Sequence, residues 1–252
     1  MSTRMRLWVL LAGGLGTAVL YLLACRALPA FGGAWHPYGD RAVDAALARH
    51  TANTVSSVNF DQRALDTLGE ESILFGSVLG TVVLLRQTRD EDRRPPRPVP
   101  VAPQVRRYAL LALPVTLLIG LYVVAHGQLS PGGGFQGGVV VATSLHLLYI
   151  AVDYRALERI RPVGRYEVAD AAGEAGYLLL GAAALLTGAA FLTNFLPWGT
   201  FNTLASGGTV PLLNAAIGVE VAAGVVVLLA RFLDQAVEIE EEPRDAGTEG
   251  TA

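Results

Sequence analysis

A few ionisable side chains lie inside stretches that are otherwise apolar, and these are the residues able to handle protons or cations. Glu220 has Ile217, Val219, Val221 and Ala222 around it. His146 lies within Leu145-His146-Leu147-Leu148, and Glu174 within Gly173-Glu174-Ala175-Gly176. Glu70 and Glu71 follow Asp66-Thr67-Leu68-Gly69. A carboxylate can hold a proton or a hard cation, and an imidazole titrates close to neutral pH. In an apolar span such groups are expensive and usually face a bundle interior or water. Glu220 reads best as a relay group, about 10 Å deep when counted from Leu213. His146, about 18 Å along from Gly134, reads equally as a relay member or a satisfied core histidine. Glu174 reads first as an acid at a helix start, favoured by the helix dipole. Its small neighbours suit close helix packing. Glu70 and Glu71 also read as dipole-favoured acids at a helix start, with Asp66 as a cap.

A second pattern runs from His126 through Gly127, Gln128, Leu129, Ser130, Pro131, Gly132, Gly133, Gly134, Phe135 and Gln136 to Gly137 and Gly138. Gly132, Gly134 and Gly137 match G-x-G-x-x-G, but no strand precedes them and no βαβ unit surrounds them, so dinucleotide binding is excluded. Pro and three consecutive glycines permit a tight or re-entrant backbone. Such backbone survives at membrane depth only against protein or a water-filled cavity. A packed, ion-lining loop and a plain tight turn fit equally well.

The elements that position these residues are long helices. Hydrophobic residues make up 52% of the 252, and charged residues 16% against about 25% in soluble domains. Mean hydropathy is +0.43. A spanning helix needs roughly 20 apolar residues, and six windows come close: 7–25, 70–85, 108–125, 134–152, 173–193 and 213–232. The predicted fold is all-α, a polytopic membrane protein with about six transmembrane helices. The net charge of −3 gives no reason to expect nucleic-acid binding. One Cys excludes an internal disulfide and a Cys-rich metal site.

Fifteen of the nineteen basic residues, all of them Arg, fall on one side if the N-terminus is inside. Both termini are therefore expected in the cytoplasm. Leu22-Leu23-Ala24-Cys25 after Arg4 and Arg6 would also suit a cleaved lipoprotein signal. An uncleaved helix is the preferred reading, because a protein with five further helices gains little from a lipid anchor. Trp8, Trp35 and Trp198 suit the membrane interface, and Asp153 with Tyr154 reads as an inner anchor.

The chain divides into a two-helix module (1–87) with a long outer loop, and a four-helix module (108–234). A linker (88–107) joins them, charged at Arg89 to Arg94 and then rich in proline. The tail (235–252) is acidic and is expected to be disordered.

The run from His126 to Gly138 resembles the signature of the MrpB (MnhB) subunit of Mrp-type Na⁺/H⁺ antiporters, close to G-H-N-x-P-G-G-G-F-x-G-G. His126, Pro131, Gly132, Gly133, Gly134, Phe135, Gly137 and Gly138 match. Ala125 and Gly127 depart from it, and one extra residue separates His from Pro. The resemblance covers about 108–234. Upstream, Asn53-Thr54-Val55, Asn59-Phe60-Asp61 and Asp66-Thr67-Leu68-Gly69-Glu70 resemble the carboxy-terminal piece of MrpA. That piece is a separate small subunit in membrane-bound hydrogenases. The chain thus looks like a fusion of an MrpA tail with MrpB.

The resemblance implies a non-catalytic subunit of a multisubunit antiporter in the plasma membrane of a prokaryote. Its partners would be other Mrp-type subunits (MrpA, MrpC, MrpD and the small ones) and membrane lipid, and its cargo Na⁺ and H⁺. It raises Glu70 to an ion-path candidate beside Glu220, Glu174, His146 and His126. No resident metal, catalytic group or cofactor is expected. The large antiporter-like subunits of this superfamily use a buried Lys–Glu pair. This chain has no Lys and too few helices, so it is not the main pumping subunit. Two other readings stay open: a scaffold without ion contact, and a membrane-arm subunit of a redox pump related to hydrogenases or complex I.

Overall fold

A computed structural model describes residues 3–28, 36–85, 101–151 and 162–233. Most of the proline-rich linker, the acidic tail, Trp35, Asp153 and Tyr154 lie outside the described residues. The described residues are helical, with no strand among them. In chain order they form α1 (Thr3–Ala27), α2 (Pro37–Ala48), α3 (Thr54–Ser57) and a π-helical turn (Val58–Gln62). There follow α4 (Ala64–Leu84), α5 (Pro103–Ala125), α6 (Gly134–Ala151), α7 (Val163–Leu186) and α8 (Val210–Leu233). Five of them, α1, α4, α5, α7 and α8, are long and apolar enough to cross a membrane. α6 adds an 18-residue helix.

The chain forms two compact units, Met1–Arg41 and Ala42 onward. The first contains α1, continuous through Cys25. The second takes in α4 as well as α5 to α8. The stretch read as one long outer loop holds α2, α3 and the π-turn, and α4 begins at Ala64, earlier than the apolar window. Asp66 and Glu70 both lie on the exposed side of this helix. Asp66 is not the cap; that position belongs to Arg63, whose guanidinium Nε donates to Asp66 Oδ2 at 2.5 Å. Likewise α5 begins at Pro103, inside the stretch read as linker, with proline in the first turn where its missing N–H costs nothing.

α8 is the centre of the second unit. Twelve of its residues are buried, around most of its circumference, as expected of a helix that is apolar all round. α6 and α7 both pack on it, and α4 closes over α7 and α8. Small residues permit the close approach. A Cβ on Gly138 of α6 would lie 3.0 Å from the Gly218 carbonyl oxygen. A Cβ on Gly173 of α7 would lie 2.5 Å from the Cβ of Glu220. Without a hydrophobic drive between helices in lipid, such contacts and buried hydrogen bonds hold a bundle. The outward faces stay apolar: Ile73, Leu111 and Leu179 are each about 70% exposed, a surface unsuited to water.

Candidate functional site

Three helices each deliver one carboxylate to the interior of the second unit. Oxygens of Glu71 (α4), Glu174 (α7) and Glu220 (α8) all lie within 4.8 Å of one another. Glu71 is seven residues into α4 and Glu220 ten into α8, about 10 and 15 Å along their helices. Glu174 is eleven residues into α7, about 16 Å. The helix starts at Val163, so Glu174 is a mid-span acid and not the first-turn acid that the apolar window suggested.

Glu71 and Glu220 have no exposed surface, and neither oxygen of either carboxylate makes a hydrogen bond. Glu174 is half-buried. Its Oε1 accepts a hydrogen bond from the Ser72 hydroxyl at 3.1 Å, while Oε2 is buried and unpaired. Two ionised carboxylates at this spacing repel by roughly 3–4 kcal/mol at an effective dielectric of about 20. A proton or a metal cation held among the three relieves that repulsion. Protons and cations are therefore what this arrangement can hold, and the chain has no Lys to supply a fixed ammonium.

Helical period explains which acids meet. In α4 the buried positions are Ala64, Thr67, Glu71 and Val78, one stripe at spacings of three, four and seven. Thr67 fastens that stripe by donating its hydroxyl to the Asn59 carbonyl at 2.7 Å. Glu70 stands one position, about 100°, around the helix and is exposed, so the structure does not bring it to the trio. His146 lies on α6, which contributes nothing to the trio. His126 caps the end of α5 and stacks on Tyr122 at 3.9 Å.

Two acids at the site are not among the ion-path candidates from sequence: Glu71 reads there only as a helix-start acid, and Asp170 is not named. Glu71 is legible once the Ala64–Thr67 stripe is followed. Asp170 (α7) is 3% exposed. It was hidden because Arg165, Glu167 and Asp170 together push the apolar window to residue 173.

The glycine-rich turn is a packed joint. Gly132 and Gly133 have φ of 134° and 139°, a region that favours glycine. The Gly134 N–H donates to Asn214 Oδ1 at 2.9 Å, and Asn214 Nδ2 donates to Ser56 Oγ at 3.0 Å and Val210 O at 3.1 Å. Asn53 Nδ2 donates to the carbonyls of Gly127 and Ser130, both at 2.8 Å. Phe135 packs against the apolar core. A Cβ at Gly127 would fall 2.6 Å from Asn214 Oδ1, which accounts for glycine after His126. The turn thus ties Asn53 and Ser56 to α8.

Comparison with known proteins now has a geometry to meet. Residues 104–227 match a family described as a domain related to the MnhB subunit of Na⁺/H⁺ antiporter. An uncharacterized protein of Methanocaldococcus jannaschii is 31% identical over 203 residues, covering 69% of this chain and 74% of that protein. The chain belongs to the MnhB-related family. A Na⁺/H⁺ antiporter subunit of Bacillus subtilis is 36% identical over 80 residues, 32% of this chain and 55% of that protein. The chain therefore spans little more than half of that relative. In fold it is similar to a chain of the membrane-bound sulfane sulfur reductase, an archaeal respiratory membrane complex. There the TM-score is 0.68 with 28% identity, covering 92% of this chain and 99% of that one. It also shares its fold with part of a chain of the Mrp complex from a Dietzia species. The TM-score is 0.71 with 23% identity, covering 96% of this chain and 27% of that one. The MnhB-related stretch holds Glu174 and Glu220. Glu71 comes from α4, outside it, so this MnhB-related chain completes the trio with a helix that precedes the family domain.

Proposed function

We propose that this chain is a multi-pass membrane subunit of a multisubunit monovalent cation (Na⁺)/proton antiporter, and that Glu71, Glu174 and Glu220 form part of its ion path. The observation that carries this is the meeting of three carboxylates inside one bundle, two of them fully buried and without hydrogen bonds. Purely structural acids would be satisfied by donors. The antiporter relative from Bacillus subtilis supplies the transport class. The role is exchange, with no bond made or broken by the chain itself.

Under this reading, residues 1–87 are an MrpA-tail-like module and 108–234 an MrpB-like one, with 88–107 joining them and 235–252 as a tail. The fusion places Glu71 beside Glu174 and Glu220. The chain lies in a prokaryotic cell membrane with both termini inside, so α7 starts and α8 ends at the inner face. Its partners are MrpA-, MrpC- and MrpD-type subunits. Na⁺-induced dequenching of a pH dye in everted vesicles carrying all subunits tests it. Glu220→Gln is expected to abolish exchange while a native gel still shows the assembled complex. Full exchange by this variant would overturn the ion-path role and leave the scaffold reading.

A second reading has its own support. The chain matches 99% of a chain in an archaeal respiratory complex, so a redox-driven ion pump is the rival setting for the same trio. Co-purification with redox-active subunits, and Na⁺ movement that requires an electron donor, would favour it.

A further inference from the structure

The trio is closed in one direction and polar in the other. Toward the end of the bundle that holds Ala64 and Val210 it is covered by an apolar cluster that includes Phe60, Tyr177, Leu192 and Leu213. Tyr177, one turn beyond Glu174, is fully buried and donates its hydroxyl to the Ala64 carbonyl at 2.8 Å. A cavity of about 450 Å³ above this cluster shares Ala64 and Leu192 with it and is lined by none of the three glutamates. In the opposite direction the same face of α7 stays polar. Asp170 precedes Glu174 by four residues and Glu167 precedes Asp170 by three, spacings that put neighbours on one helix face.

Asp170 has no clear structural duty. It is almost fully buried, and its Oδ1 makes no hydrogen bond. α8 leaves room for it: a Cβ at Gly224 would fall 2.9 Å from that oxygen. Gly224 is one turn beyond Glu220. A buried carboxylate with an empty oxygen costs more than an apolar residue of its size, so packing does not explain it. Glu167, about 10 Å along α7 from Glu174, accepts a hydrogen bond from Arg231 of α8 at 2.5 Å. Both partners of this pair are partly exposed and Arg231 lies in the last turn of α8, so the pair marks the bundle end of the row.

We propose that Asp170 is the connecting step of a one-ended branch. Through it a cation, proton or alkali ion, passes between the Glu71–Glu174–Glu220 trio and the bundle end marked by Glu167 and Arg231. The apolar cluster around Tyr177 closes the other end. The proposal rests on the ion-path reading of the trio and adds to it a residue and a direction.

Exchange in everted vesicles, with the inner ends of α7 and α8 facing the bath, tests it in the whole complex. Asp170→Asn is expected to raise the half-saturating Na⁺ concentration at least tenfold with the complex intact on a native gel. Asp170→Glu should recover most of the affinity. Gly224→Ala, which crowds Oδ1, should raise half-saturation several-fold. In right-side-out vesicles, with Na⁺ offered to the other face, half-saturation should stay at the wild-type value. Glu220→Gln is run alongside. If it abolishes exchange while Asp170→Asn behaves as wild type, the branch is overturned and the trio stands. If Glu220→Gln also behaves as wild type, both fall. Equal shifts from both faces overturn the one-ended access. Should Asp170→Asn fail to assemble, Gly224→Ala decides, and wild-type half-saturation in that variant overturns the proposal.

Discussion

A carboxylate without hydrogen bonds is costly inside a helix bundle, and Glu71 and Glu220 are two such groups within reach of a third, Glu174. Glu220 stood out in the sequence because its neighbours are apolar, and the structure buries it fully. Glu71 was obscured by Glu70, its twin in chemistry, and only helical phase separates them: Glu71 shares a stripe with Ala64 and Thr67, and Glu70 does not. Asn214 marks the opposite case, a buried polar residue that is fully used. It accepts from Gly134 and donates to Ser56 and Val210. Asn214→Ala leaves the Gly134 N–H buried without a partner, at a cost of roughly 1–3 kcal/mol. A thermal melt of the purified complex should show a lower transition for that variant. An unchanged melt would mean that the joint contributes little.

The long helices were legible as elements, since a run of about 20 apolar residues has few other readings. Their ends were not. α4, α5 and α7 all begin upstream of their apolar windows. Polar residues near a helix start can be exposed or matched in the folded bundle, as Asp66 is by Arg63, and hydropathy alone cannot separate that from a loop. In the turn glycine gives backbone freedom, and in the helices it gives space, as the small neighbours of Glu174 suggest in the sequence. Gly173→Ala would put a methyl group 2.8 Å from the Ala216 carbonyl oxygen, a backbone atom that cannot move alone. Overpacking of this kind costs roughly 1–3 kcal/mol and pushes α7, with Glu174, away from Glu220. Gly176→Ala meets Ala216 at an ordinary 3.7 Å. Exchange and complex stability are expected to fall for the first variant and to stay at wild-type level for the second. Equal loss in both would argue against close packing at Gly173.

In the whole molecule, the site belongs to no single stretch of the chain. The MnhB-related residues 104–227 supply Glu174 and Glu220, and α4, from the opposite side of the proline-rich segment, supplies Glu71. The two sequence motifs could be read separately, but not their meeting, because it depends on how α4 packs against α7 and α8. A chain that carries both pieces keeps the three carboxylates together by covalent linkage as well as by packing. The most direct test compares two adjacent residues on one helix. Na⁺/H⁺ exchange would be measured in everted vesicles with all subunits present, for Glu71→Gln and Glu70→Gln, with assembly followed on native gels. The trio predicts at least a tenfold loss of exchange in Glu71→Gln and near wild-type exchange in Glu70→Gln. The reverse order, or full exchange by an assembled Glu71→Gln complex, would contradict an ion path through these three glutamates.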